Sequence, residues 1–198
     1  MKRIILLVLL VALCALPHVG VSGQASNDTI IIRGLGNITT FNHVLSQDGA
    51  SLQASYILWP APFDLDNTTG QPIPGLTSWK VSDDGLTYTF TIRKDANWSD
   101  GTPITAKDMK FVIDAVKSDK VKSTLKDYAQ LITAVKVVDD KTYQIVLSTP
   151  SCTALSDFFY FRFMPSFRFK ADFSDFETNA INTNPDISGG PFISNRQV

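Results

Sequence analysis

The chain has 198 residues, with 18 basic and 19 acidic side chains and a net charge of −1, so nothing in its charge points to nucleic acid or an anionic membrane surface as a partner. Its hydrophobic content of 44%, including 13 phenylalanines, excludes a disordered chain and supplies at least one substantial core.

The N-terminus opens with Lys2-Arg3 and then thirteen apolar residues, Ile4 to Leu16. A membrane span needs about 20 residues, so this run reads as the core of a signal peptide. Val21-Ser22-Gly23 and Gly23-Gln24-Ala25 both place small residues at the −3 and −1 positions of a cleavage site. Residues 1–25 are therefore expected to leave on export. Cys14 suggests a rival lipoprotein anchor, but the bulky Leu13 before it does not suit lipid attachment. Cleavage without lipid is the expectation, and it leaves Cys152 as the only thiol, with no intrachain disulfide to form. Within the apolar stretch Leu147 to Phe159, Cys152 reads as a small buried hydrophobe. The mature chain also keeps a single histidine, His43, so nucleophilic and metal chemistry lack their usual partners and no enzyme is expected.

The β-branched run Thr29 to Arg33 reads as the first strand, followed by a loop and a short helix over Ala50 to Leu58. Residues 60–76 carry four of the ten prolines and read as a turn-rich connection. Trp79 begins a strand that turns at Asp84-Gly85, the signature of a two-residue hairpin in which Gly supplies positive φ. Leu86, Tyr88, Phe90 and Ile92 then alternate with polar residues, the pattern of a half-buried strand. Asp100-Gly101-Thr102-Pro103 ends it. Thr105 is placed as an N-cap with Asp108 three residues on, a carboxylate form of the capping box. Met109, Val112, Ile113 and Val116 form one apolar stripe of the helix that follows.

Val121 to Leu131 reads as a further short helix. Ala134 to Val138 and Thr142 to Ser148 form a second hairpin. Thr153 to Phe163 reads as an aromatic-rich core helix, and residues 171–191 as a loop. Four Asn-x-Ser/Thr sequences, at Asn27, Asn37, Asn67 and Asn97, are read as chance occurrences in a Thr-rich chain. No internal repeat is present.

The stretch Ser82 to Phe90, the pair Arg93-Lys94 and the run Trp98 to Asp108 together resemble the signature of the solute-binding proteins of peptide-type ABC importers, the oligopeptide/dipeptide/nickel-binding family. Pro74-Gly75-Leu76, Val138 to Tyr143 and Gly189-Gly190-Pro191-Phe192 extend the likeness over nearly all of the mature chain. The resemblance implies an α/β periplasmic-binding-protein-like fold of class II, cluster C type, incomplete here because members run to about three domains. On that pattern residues 26–57 start lobe one, 58–150 form a small β-rich lobe two, and 151–198 return into lobe one. The chain is thus expected to be an N-terminal fragment or a truncated product.

The implied function is extracytoplasmic capture of a peptide and its delivery to the permease subunits of an ABC importer, by a monomer that needs no cofactor or metal. A nickel chelate or an oligosaccharide is the alternative solute within the family, and a non-functional truncated product the alternative outcome. The resemblance points to Ser46, Gln47 and Asp48 as a cleft-lining loop and to Tyr128 as a cleft tyrosine. The signature itself (Trp79, Asp84, Gly85 and Gly101) is assigned to folding rather than to ligand. Binding of peptide by this chain alone is not expected, and residues 151–198 are expected to stay weakly protected, with aromatic surface exposed from Phe158 to Phe169.

Overall fold

The protein is described by a computed structural model, and the description runs over residues 36–194. The signal segment, Cys14, Asn27 and the strand expected over Thr29 to Arg33 lie outside the described residues.

The centre of the fold is a four-stranded antiparallel sheet. Its strands are β3 (Thr77–Val81), β4 (Thr87–Ile92), β5 (Ile132–Val137) and β6 (Thr142–Leu147), in the order β3-β4-β6-β5. The period-2 alternation dictates which way its side chains point. Tyr88, Phe90 and Ile92 of β4 and Tyr143, Ile145 and Leu147 of β6 are buried on one face, while the intervening residues remain partly exposed. Phe90 faces Tyr143 across the β4–β6 pair, with rings stacked at 5.0 Å and 12°. Each such ring, fully buried, contributes roughly 1.5–3 kcal/mol.

The β3–β4 connection differs from the expected two-residue turn. Val81 pairs with Tyr88, Ser82 N–H donates to the Thr87 carbonyl at 2.9 Å, and Gly85 N–H donates to the Ser82 carbonyl at 2.8 Å. The loop is longer, and only Gly85, at φ +70°, enters the left-handed region; Asp84 does not. The Asp84 carboxylate instead accepts from the Ser82 hydroxyl and from Leu86 N–H, which stabilises the wider loop.

Before the sheet come the helix α1 (Gly49–Leu58) and a two-residue hairpin ladder, β1 (Asp64–Leu65) with β2 (Pro72–Ile73), inside the proline-rich connection. After β4 comes the helix α2 (Ala106–Lys117). Its predicted stripe is realised, since Met109, Val112, Ile113 and Val116 are all buried. The expected helix over Val121 to Leu131 is a 3-10 turn at Thr124–Ala129, begun by Ser123, whose hydroxyl caps Leu125 N–H.

The aromatic segment is only partly helical. The helix α3 (Ala154–Phe158) ends after five residues, and Phe161 to Pro165 runs on through the core as extended chain. Phe158, Phe161, Phe163 and Met164 are buried there, with Phe158 against Phe90 and Phe163 against Tyr143, and Phe169 is buried further on. The expected exposure of Phe158 to Phe169 is therefore corrected: of these aromatic residues only Phe167 stands out in solvent. The extra core is built from the segment itself, which lies across the open face of the sheet. Cys152, in turn, is exposed rather than buried, because it sits in the turn before α3 and not within the apolar run.

Two side-chain devices tie the returning segment to the rest. Asp108, 1% exposed, accepts from Thr105 N–H at 2.8 Å and from the Thr105 hydroxyl at 3.2 Å, completing the capping box. Its other oxygen accepts from Ser166 N–H at 2.9 Å and the Ser166 hydroxyl at 2.6 Å. At the far end, Gly189 and Gly190 both donate N–H to the Leu58 carbonyl at the end of α1, at 3.1 and 2.8 Å. The Trp98 ring lies over Gly189, and Ser99 N–H donates to the Ser188 carbonyl at 2.7 Å.

Candidate functional site

Of the four residues that the resemblance singled out, two have folding roles. Asp48 is the N-cap of α1, where Oδ1 accepts from Ser51 N–H at 2.8 Å and Oδ2 from the Ser51 and Thr39 hydroxyls, each at 2.8 Å. These bonds, that from Ser51 N–H foremost, hold its carboxyl below the usual aspartate range. Ser46 is buried, with its hydroxyl donated to the Asn42 carbonyl at 2.9 Å. Gln47 is exposed between them. Tyr128 is half-buried and stacked on Tyr160, with ring centroids 4.4 Å apart and planes at 21°.

The Tyr128–Tyr160 stack belongs to a larger cluster that composition and motifs did not reveal. Arg162 lies within it, 7% exposed, with its guanidinium carbon 3.8 Å from the Tyr56 ring centroid and 5.2 Å from that of Phe159. Its Nη1–H donates to the Trp59 carbonyl at 3.3 Å, while its buried Nε–H has no partner among the described residues. No carboxylate forms an ion pair with it among the described residues. Burial lowers the guanidinium's pKa, while the Tyr56 hydroxyl and, less strongly, the Asp64 carboxylate work against that, so the charge rests on aromatic faces with Asp64 near it but not in direct contact. A cation so placed costs free energy unless an acceptor completes it. The available signal in the sequence was Arg162 as the lone charge within Phe158 to Met164.

His43 lies against the same residue. Its Nε2 accepts Arg162 N–H at 3.2 Å, which puts the imidazole proton on Nδ1, and that Nδ1–H also has no partner among the described residues. Burial, and secondarily the Arg162 charge, press its pKa down from 6.5 to about 3. The folded state thus keeps His43 neutral where the unfolded chain protonates it. Stability is complete above pH 6.5 and falls as pH drops from there towards 3. Over the window from pH 6.5 to 4.5, before most carboxylates titrate, chemical unfolding should show a loss of about 2–3 kcal/mol by this linkage. A His43→Gln variant should flatten that slope.

Among the described residues no cluster of three or more His, Cys, Asp or Glu is placed to hold a metal, and no helix is long and apolar enough to cross a membrane. What the cluster offers is a guanidinium held against Tyr56 and Phe159, with the Tyr128–Tyr160 stack joined to it through Phe159, an arrangement suited to non-covalent capture.

Comparison with known proteins decides the family. Residues 71–195 match the model of the bacterial extracellular solute-binding proteins, family 5, middle region. The chain belongs to this family. The family is one of solute-binding proteins and not of enzymes. Among its relatives, the dipeptide-binding protein of Escherichia coli is 33% identical over 156 residues, which is 69% of this chain and 29% of that one. The oligopeptide-binding protein OppA of Bacillus subtilis is 34% identical over 148 residues, 64% of this chain and 26% of its own.

Among solved structures, NikZ from Campylobacter jejuni in complex with Ni(L-His) superposes with a TM-score of 0.69 at 27% identity, covering 80% of this chain and 31% of that one. AppA from B. subtilis, solved with a nonapeptide, superposes with a TM-score of 0.72 at 24% identity, covering 80% and 32%, and supports the fold. The architecture is accordingly mixed α/β and corresponds to part of the periplasmic-binding-protein fold, and the chain spans about 29% of the length of its dipeptide-binding relative.

Proposed function

We propose that this family 5 protein is the extracytoplasmic binding component of an ABC importer, and that it takes a peptide. Its relatives carrying 33–34% identity are named for dipeptide and oligopeptide binding. The observation that carries the reading in this chain is Arg162, a buried cation that rests on Tyr56 and Phe159 and that has, among the described residues, no ion-pair partner and no acceptor for its Nε–H. A peptide supplies the missing acceptors through its carboxylate and its main-chain carbonyls. The Tyr56, Tyr128 and Tyr160 rings supply broad apolar contact with little regard for side-chain identity.

In this reading residues 1–25 are the signal peptide, 26–57 begin lobe one, 58–150 form lobe two and 151–198 return to lobe one. Closure of the lobes around the solute delivers it, as a monomer, to the permease in the membrane. Tyr128 keeps the cleft role expected for it, alongside Tyr56, Tyr160 and Arg162. Ser46, Gln47 and Asp48 form the loop before α1, where Asp48 sets the helix start and Gln47 alone of the three is free to meet a solute.

The likeness to NikZ with its Ni(L-His) favours a second solute class, an amino-acid chelate of nickel, because a carboxylate would meet Arg162 there as well. Tyr56, Tyr128, Tyr160 and Arg162 all lie within this chain, so in this reading it binds solute by itself, contrary to the expectation drawn from its short span of the family. A thermal-shift screen with trialanine, a mixed dipeptide pool, an oligosaccharide and nickel-histidine separates these outcomes. Peptide at 100 times its Kd should stabilise by about 2.7 kcal/mol, a rise of about 5–10 °C in Tm. Tyr128→Ala, at a half-exposed site, should halve that rise without unfolding the free protein. A rise with nickel-histidine alone would favour the second class, and none with any solute would overturn the proposal.

A further inference from the structure

The outer side of α2 carries a cavity that the proposed capture of a peptide leaves unused. It has a volume of about 370 Å³, and it lies between the helix and the segment 166–173. Its floor is aromatic. Phe111 of α2 meets Phe169 and Phe173, each at 5.3 Å between ring centroids, and Phe176 closes the cluster from beneath at 5.8 Å from Phe111. Phe167, 51% exposed, stands at the mouth.

Two features separate this cavity from an ordinary surface dimple. Phe173 has φ +60°, and it is the one non-glycine residue with positive φ among the described residues. A bulky side chain persists in that region only where its surroundings over-determine it, and such outliers gather at binding sites. The rim, moreover, is basic. Lys107 is exposed and has no ion-pair partner among the described residues. Lys110 is paired with Asp114 at 2.6 Å, so that the acidic residue on the rim is already neutralised. One uncompensated positive charge thus sits over an apolar, aromatic floor.

We infer that this cavity is a binding site for a small aryl carboxylate, whose ring stacks among Phe111, Phe167 and Phe173 while its carboxylate meets Lys107 and Lys110. The volume lies within the range of small-molecule sites. Offset or edge-on packing of aromatic rings fixes the apolar end, and the exposed lysines make the affinity fall with salt. The site is separate from Arg162 and does not depend on the solute bound there.

The test uses 3-phenylpropionate on the whole chain, with 3-phenylpropanamide and 3-phenylpropylamine as neutral and cationic counterparts, followed by ligand-observed NMR and calorimetry. The carboxylate should bind at least 10-fold more tightly than the amide, and the amine should not bind. Lys107→Glu with Lys110→Glu should weaken the carboxylate at least 10-fold. Ala171→Trp, at an exposed lining position, should abolish binding by filling the cavity while the unfolding midpoint stays put. Arg162→Gln should leave it unchanged. Equal affinity for the carboxylate and the amide, persistence of binding in Ala171→Trp, or its loss in Arg162→Gln would each overturn the assignment.

Discussion

Gly190→Ala should destabilise the protein by about 3 kcal/mol or more, the range for a forced overlap in a packed interior. A Cβ on Gly190 would come within 2.3 Å of the Ile57 carbonyl oxygen and 3.0 Å of the Ile57 and Leu58 carbonyl carbons. All three are backbone atoms, and no rotamer change relieves the overlap. The displacement would also break the two N–H donations to the Leu58 carbonyl that fasten residues 189 and 190 to the end of α1. Urea unfolding measures the loss directly. Gly36→Ala is the control: a Cβ there meets nothing within 4 Å, and its effect should stay within about 0.5 kcal/mol. A wild-type midpoint for Gly190→Ala would mean that the Gly-Gly-Pro-Phe element is not docked on α1.

The second large effect is expected at Asp108. Its carboxylate receives two donors from Thr105 and two from Ser166. Asp108→Ala removes the N3 half of the capping box around Thr105, a loss of about 1 kcal/mol, and strands partly buried donors on Ser166, at a further cost of about 1–3 kcal/mol. A total near 3 kcal/mol is expected from equilibrium unfolding. Asp108→Asn keeps one accepting oxygen and should cost about half as much. Ser166→Ala removes only the hydroxyl donor and should cost about 1 kcal/mol. If Asp108→Ala and Ser166→Ala prove equally mild, the bond between helix α2 and the returning segment contributes little.

Asp108 also shows what the sequence revealed and what it hid. The capping box was legible because Thr105 and Asp108 are three residues apart, a local relation. The second half of the carboxylate's role was not, because Ser166 lies 58 residues away and no local pattern announces it. The same division holds elsewhere. The strands over Thr87–Ile92 and Thr142–Leu147 and the stripe Met109, Val112, Ile113 and Val116 follow from periodicity. The long-range covering of the sheet by Phe158 to Met164 does not, and an account restricted to local pairing left those rings exposed. Cys152 was misplaced for a related reason: the apolar average of its neighbourhood outweighed the turn residues Pro150 and Ser151 beside it.

The candidate site was less legible than the fold. Asp48 and Ser46 were singled out by position, and their hydrogen bonds show local roles at the start of α1. Tyr128 was also singled out, but the meaning of its ring depends on Tyr160, and that of Tyr160 on Arg162, which stacks on Tyr56 from another part of the chain. A cation among aromatic residues is a tertiary fact.

The claim at the centre of this account is that Tyr56, Tyr128 and Tyr160 form the solute-facing wall around Arg162. The five tyrosines of the chain provide the test, since the remaining two, Tyr88 and Tyr143, are buried on the inner face of the sheet. Aromatic carbon–proton NMR spectra of tyrosine-labelled protein, titrated with trialanine, follow all five at once. If these rings form the wall, the Tyr56, Tyr128 and Tyr160 ring signals should shift saturably, with Tyr88 and Tyr143 unmoved and the response lost in Arg162→Gln. Saturable binding that leaves those three rings unmoved would contradict it.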